Sequence, residues 1–200
     1  MMREDIGCLR RRARVDARGR EDQISVVRRR SKIALFSLVL IVFGATGAVA
    51  ADDLAGQRRV ISVRYPHIQW VDTRTLSTWL SNPESRRPTL LDSRELDEYR
   101  VSHLRGARRV DPDLNDVSTL GLSRDALIVV YCSVGWRSGG IADRLRQAGY
   151  RRVYNLEGGL FRWANEGRAM RADGRAATVV HPYDATWGLM LVPERRAPID

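Results

Sequence analysis

Cysteine is almost missing from this chain. Only Cys8 and Cys132 occur in 200 residues, so no disulfide framework can staple the fold and a hydrophobic core must hold it. Histidine is nearly as scarce, with His67, His103 and His181 scattered along the sequence. Three such histidines and a cysteine give no metal-ligand spacing, and no metal or other cofactor is expected. Lysine is reduced to Lys32; every other basic residue is arginine. No basic stripe interleaved with aromatics is present, which argues against nucleic acid as a partner. The net charge of +10 does not restore that reading. Residues 1–50 hold 11 of the 34 basic and 5 of the 24 acidic residues, leaving 23 against 19 for the other 150.

The first 50 residues have the layout of a targeting segment. A basic stretch ends in RRRSK (28–32), IALFSLVLIVF (33–43) is a hydrophobic core, and GATGAVA brings Ala48 and Ala50 to the small-residue positions before a cleavage point. This is a signal-peptide pattern with a cut expected after Ala50. The alternative is an uncleaved anchor, since 33–51 is uncharged and just long enough to tether the chain to a membrane. A periplasmic or secreted location is expected either way. Cleavage would remove Cys8 and leave Cys132 as a lone thiol in an oxidising compartment, where a free cysteine is a candidate reactive group.

Beyond the leader, DDLAGQRR (52–59) is polar and reads as part of a flexible linker over 51–65. Short apolar runs then alternate with helical patterns. Strands are expected within 65–72, at 89–93, 106–111, 126–132 and 151–156. Helices are expected over 73–81, capped by Asp72 or Thr73, and over 95–103, 137–148 and part of 157–167. Alternation of this kind predicts an α/β fold with a mostly parallel central sheet and helices on both faces. In such sheets the working residues gather beyond the carboxyl ends of the strands. Asp92, Cys132 and the segment Asn155–Gly159 fall at such ends. The stretch TVVHPYDATWGLMLVP (178–193) is apolar and aromatic, and the extension 172–200 is expected to pack on the domain. The alternative is that His181, Tyr183 or Trp187 overhangs the cysteine loop.

The segment YCSVGWRSGG (131–140) carries the chemistry. Cys132 closes an apolar strand and precedes a helix, so it is expected at an exposed turn at the end of the sheet. The intervening SVGW can curl so that backbone N–H groups point at the sulfur. Gly135 permits a positive φ there, and the following helix adds the positive end of its dipole. Arg137 either holds the loop or faces an anionic substrate. No histidine adjoins the cysteine, so a protease-like Cys–His pair is not the reading.

Three segments in order carry a family resemblance. LLDSRELDEYRVSHLRGA (90–107), VVYCSVGWRSGGIADRLRQAGY (129–150) and VYNLEGGLFRWANEG (153–167) resemble the strand-Asp, active-site-loop and closing motifs of a single rhodanese domain, here spanning 66–171. The resemblance implies a sulfurtransferase in which Cys132 takes a sulfane sulfur as a persulfide and passes it to a nucleophilic acceptor. Ser133, Val134, Gly135, Trp136, Arg137 and Ser138 would form the substrate-binding loop. Asp92 and Arg94 would hold it or flank its entrance, and His103, Gly106, Gly158 and Gly159 would be architectural. Implied partners are a small sulfur donor with a thiol or cyanide-type acceptor, or a protein persulfide. Thiosulfate-using members often place a basic residue after the cysteine. Here Ser133 and Val134 follow it and Trp136 adds apolar bulk, which makes an organic or protein persulfide as good a candidate donor as thiosulfate. The six-residue loop 132–137 is one residue shorter than in related phosphatases, which disfavours a phosphatase or arsenate reductase. A non-catalytic docking module is the other alternative, and the retained cysteine argues against it.

Overall fold

A computed structural model describes residues 53–83 and 87–199. The expected export segment over 1–50 lies outside the described residues. Five parallel strands form the central sheet: β1 (Gln69–Val71), β2 (Thr89–Asp92), β3 (Arg108–Arg109), β4 (Leu127–Tyr131) and β5 (Arg152–Leu156), in the spatial order β1-β5-β4-β2-β3. β4 is central and every residue of LIVVY is buried, as its unbroken apolar run requires of a strand covered on both faces. Its neighbours fix the register: Leu91 lies opposite Val130, and Asn155 opposite the same residue on the other side.

The period of two along the strands sorts side chains into two cores. Leu90, Val129, Tyr131 and Leu156 face one way, where α2 (Thr73–Ser81), α3 (Leu96–Val101) and α5 (Gly159–Asn165) lie. Leu91, Ile128, Val130 and Val153 face the other, against α4 (Trp136–Gln147), whose Ile141 and Leu145 are fully buried. Each such aliphatic side chain contributes about 1.5–3 kcal/mol on burial. Asp72 caps α2, its carboxylate accepting the N–H of Thr75 at 2.8 Å. That bond, more than the small opposing effect of burial, holds its pKa below the ordinary carboxylate value.

One expectation changes. The stretch read as a linker forms a helix, α1, over residues 53–64. Leu54 and Ile61 are its buried anchors, spaced seven apart and therefore on one helical face. Ile61 and Tyr65 fit against Gly139 of α4, where a methyl group would stand 3.1–3.2 Å from their carbons. After α5 the chain makes a two-stranded antiparallel ribbon, β6 (Met170–Ala172) with β7 (Arg175–Ala177). Short 3-10 turns follow at Trp187–Met190 and Pro193–Arg195. The extension does pack on the domain: Val180 and Leu191 are buried in the core that holds Trp163 and Met170. Among the described residues no helix is long and apolar enough to cross a membrane, and no cluster of metal-ligating side chains occurs.

Candidate active site

The chain leaves β4 at Tyr131, and Cys132 is the next residue. It is deeper than expected. Cys132 is 1 % exposed and forms part of the wall of a cavity of about 180 Å³, with Ser133, Val134, Trp136, Arg137, Tyr183 and Trp187. A thiol that closes a central strand is covered by neighbouring segments, and the cavity is where Cys132 meets open space.

Two glycines determine the path of the loop. Gly135 has φ +114°, the conformation a side chain disfavours, and this turns its N–H onto Cys132 Sγ at 3.1 Å. Its carbonyl accepts from Asn155 Nδ2 at 3.0 Å. Gly159 begins α5 directly beneath the loop, and a Cβ there would lie 2.5 Å from the carbonyl oxygens of both Cys132 and Ser133. The close approach lets the N–H groups of Leu160 and Phe161 donate to those two carbonyls at 2.8 and 3.0 Å. The first turn of α5 thus holds the loop from below through its carbonyls. Trp136 is fixed from outside, its indole N–H donating to Gln57 Oε1 of α1 at 2.7 Å.

Glu98 of α3 is the polar centre of the site. It is 2 % exposed. Arg137 Nη1 donates to Oε2 at 2.6 Å, Arg137 Nη2 to Oε1 at 2.8 Å, and Ser133 Oγ to Oε1 at 2.7 Å. Oε2 also accepts the N–H of Glu95, closing a capping box on α3. Burial works against the carboxylate charge, but Arg137 and Ser133 outweigh it and hold Glu98 below the ordinary glutamate value. Burial likewise opposes the Arg137 charge. The bonds to Glu98 and the proximity of Cys132 more than compensate, so the guanidinium stays protonated. Arg137 thus ties Glu98 to the Ser133 hydroxyl of the loop, and it also lines the cavity.

Asp92 and Arg94 do not hold the loop directly or flank an entrance. Both are fully buried. Arg94 Nε and Nη2 donate to the two Asp92 oxygens at 2.9 and 2.7 Å, and Nη1 and Nη2 donate to the carbonyls of Glu98 and Ser102 at 3.3 and 2.6 Å. The pair therefore anchors the end of α3, and α3 carries Glu98 to the loop. His103 is structural as expected, stacked on the Tyr99 ring at 4.0 Å. Ser138, expected in the binding loop, is fully buried in the first turn of α4 and does not line the cavity, nor does Gly135.

The larger surprise lies in the C-terminal extension. Tyr183 and Trp187 both line the cavity, and His181 does not. Tyr183 sits at φ +70°, with its N–H donating to His181 Nδ1 at 3.0 Å. Its ring covers the Arg137 guanidinium, 5.1 Å from centroid to Cζ. Trp187 is oriented by Asp184, whose carboxylate accepts the Trp187 N–H at 2.8 Å. Sequence reading favoured core packing for this stripe, and no local spacing marks two residues that meet a cysteine fifty positions earlier. Glu98 had a weak signal, the E-x-x-E spacing of a capping box, but that spacing says nothing of burial.

Residues 72–166 match the family model of the rhodanese-like domain. Over 134 residues the chain is 27% identical to the uncharacterized protein YqhL of Bacillus subtilis, covering 67% of this chain and 97% of that protein. Over 97 residues it is 32% identical to a sulfurtransferase of Allochromatium vinosum, covering 48% of this chain and 89% of that one. Among solved structures, the rhodanese-like domain of the Alr3790 protein from Anabaena sp. is 28% identical with a TM-score of 0.47, covering 52% of this chain and 80% of that one.

Proposed function

The chain belongs to the rhodanese-like domain family, and from that premise we propose that it is an exported sulfurtransferase working through a persulfide on Cys132. The observation that carries this reading is the placement of Cys132 Sγ in the cavity wall with the Gly135 N–H aimed at it from 3.1 Å. That N–H and the positive end of α4, which starts at Trp136, favour an anionic sulfur at this point.

In the first half-reaction the Cys132 thiolate attacks the terminal sulfur of a donor. With an organic persulfide, R–S–SH, the S–S bond breaks, R–S⁻ leaves with the bonding pair, and Cys132–S–SH forms. With thiosulfate the products are Cys132–S–S⁻ and sulfite. In the second half-reaction an acceptor thiolate or cyanide attacks the outer sulfur, and Cys132 leaves as thiolate. No electrons enter or leave the overall exchange. The residues around the cysteine stay fixed through both steps: α5 holds the loop carbonyls, and Glu98 with Arg137 and Ser133 holds its far side. Export to an oxidising compartment rests on the RRRSK–IALFSLVLIVF–GATGAVA pattern of residues 28–50.

The test uses the full chain carrying Cys8→Ser, so that Cys132 is the only thiol. Incubation with thiosulfate, and separately with a small-molecule persulfide, is followed by intact mass. The expected result is a gain of one sulfur atom that cyanide removes and that Cys132→Ser abolishes. Cyanide reversal separates the persulfide from a sulfinic acid, whose two added oxygens have nearly the same mass and do not reverse. A folded protein whose Cys132 is alkylated but never gains sulfur from either donor overturns the reading and favours a docking module.

A further inference from the structure

Resting on that sulfur-transfer reading, we propose that Trp187 and Tyr183 of the C-terminal extension make the cavity selective for sulfur donors with an apolar, aromatic-sized organic body and at most one negative charge. Thiosulfate, small and doubly charged, is on this account a poor donor.

The argument starts from charge. Among the residues lining the cavity only Arg137 is charged. Its Nη1 donates to Glu98, and its Nη2 donates to Glu98 and, at 3.0 Å, to Ser133. Its face is covered by Tyr183. The cation is therefore neutralised by a buried carboxylate and screened by a ring before any donor arrives. A thiolate at Cys132 would make the site net negative, and a dianion entering it would lose its hydration without gaining an unpaired cation.

Shape and lining point the same way. Val134, Trp136, Trp187 and Tyr183 leave most of the exposed wall apolar, and a flat organic group can lie between such rings. The aromatic pair is built in place. Tyr183 is one of two non-glycine residues with positive φ among the described ones, a conformation that persists only where surrounding structure imposes it. Here the imposing contacts are the His181 Nδ1 bond to the Tyr183 N–H, the Asp184 cap on Trp187, and Gly188, where a Cβ would meet Pro182 at 2.9 Å. A segment that served only to cover the core would have no reason to hold Tyr183 half-exposed over the arginine of the loop.

Three donors test this: the dianion thiosulfate, and the monoanions methanethiosulfonate and benzenethiosulfonate, which share one leaving-group class and differ in the organic body. With a thiosulfonate the Cys132 thiolate takes the outer sulfur and the sulfinate R–SO₂⁻ leaves, so each reaction yields the same Cys132 persulfide. Loading of the full chain carrying Cys8→Ser is timed by rapid quench and intact mass. Expected second-order rates fall in the order benzene-, methanethiosulfonate, thiosulfate, with the benzene-to-methane ratio on the order of tenfold. Trp187→Ala and, separately, Tyr183→Gly should each bring that ratio towards one. Tyr183→Gly suits the local backbone and keeps the test valid where the tryptophan variant fails to fold. Thiosulfate loading fastest, or a ratio unmoved in both folded variants, overturns the selectivity while leaving sulfur transfer intact. No loading from any of the three while a small-molecule persulfide still loads Cys132 overturns the selectivity alone, and failure of that persulfide as well, with Cys132 still alkylatable, overturns both.

Discussion

Two arginine–carboxylate pairs flank the same short helix, and they do different work. Arg94 and Asp92 are sealed, with both side chains 0% exposed. Arg137 and Glu98 differ in one respect: the carboxylate is 2% exposed but the arginine is 24% exposed, open to the cavity. Their hydrogen-bond chemistry is nearly identical, each guanidinium engaging both oxygens of its partner. The difference lies in what else each pair touches. The sealed pair spends its remaining donors on the backbone carbonyls of Glu98 in α3 and of Ser102 at its end, whereas the open pair spends its own on the Ser133 hydroxyl next to Cys132. The sealed pair fixes a scaffold and the open pair fixes a loop, so stability and sulfur loading should separate between them.

The largest effect is expected from Asp92→Asn. It leaves the Arg94 charge buried and unmatched, and should cost about 3–5 kcal/mol of unfolding free energy in a urea titration. Sulfur loading by the molecules that remain folded should stay close to wild type; a loading defect larger than the stability defect would break the comparison. Glu98→Gln keeps the shape but withdraws the charge that holds Arg137. It should cost about 1–3 kcal/mol and slow loading roughly tenfold to a hundredfold, as the sulfur and its cradle lose their fixed geometry. The same variant sharpens the comparison through pH. The folded protein holds Glu98 below the ordinary 4.5, so its contribution is complete above that value. It fades as acid takes the pH down through the folded value. The stability gap between wild type and Glu98→Gln should therefore be constant at neutral pH and shrink below about 4.5. The smallest effect belongs to a carboxylate exposed to solvent. Asp72→Ala should cost about 1 kcal/mol through loss of the α2 cap, seen as a small drop in denaturant midpoint with loading unchanged.

What the sequence revealed follows the same division between local and distant interactions. β4 and α4 were legible because LIVVY is apolar throughout and because Ile141 and Leu145 repeat at helical spacing. The α2 cap was legible because an aspartate at a helix start acts within three residues. Helix α1 was not. Leu54 and Ile61 are its buried anchors, in a stretch that also holds three arginines and a glutamine, and these polar residues hide an inner face two side chains wide. The positive φ at Gly135 was legible in the cysteine loop, but the burial of Cys132 was not. Nor were the loop's supports, since Glu98, Asn155 and Gln57 reach it from other elements and no local spacing shows those contacts. Asp92 and Arg94 were singled out for the right region but the wrong task, because their burial depends on α3 closing over them. Tyr183 and Trp187 were weighed as overhanging groups and set aside for the core, where aromatic stripes usually go.

The strand order has a consequence for how the molecule is made. Among the described residues β1 is the first strand, and β5 is its only partner in the sheet, Gln69 lying opposite Tyr154. The edge of the sheet therefore waits for the last strand to be synthesised, and the cysteine loop cannot gain its lower support until Leu160 and Phe161 follow. Pairings between parts of the chain far apart in sequence form slowly. Cys132 gains its lower support only from residues 160 and 161, and Tyr183 and Trp187 of the cavity wall come later still in the chain.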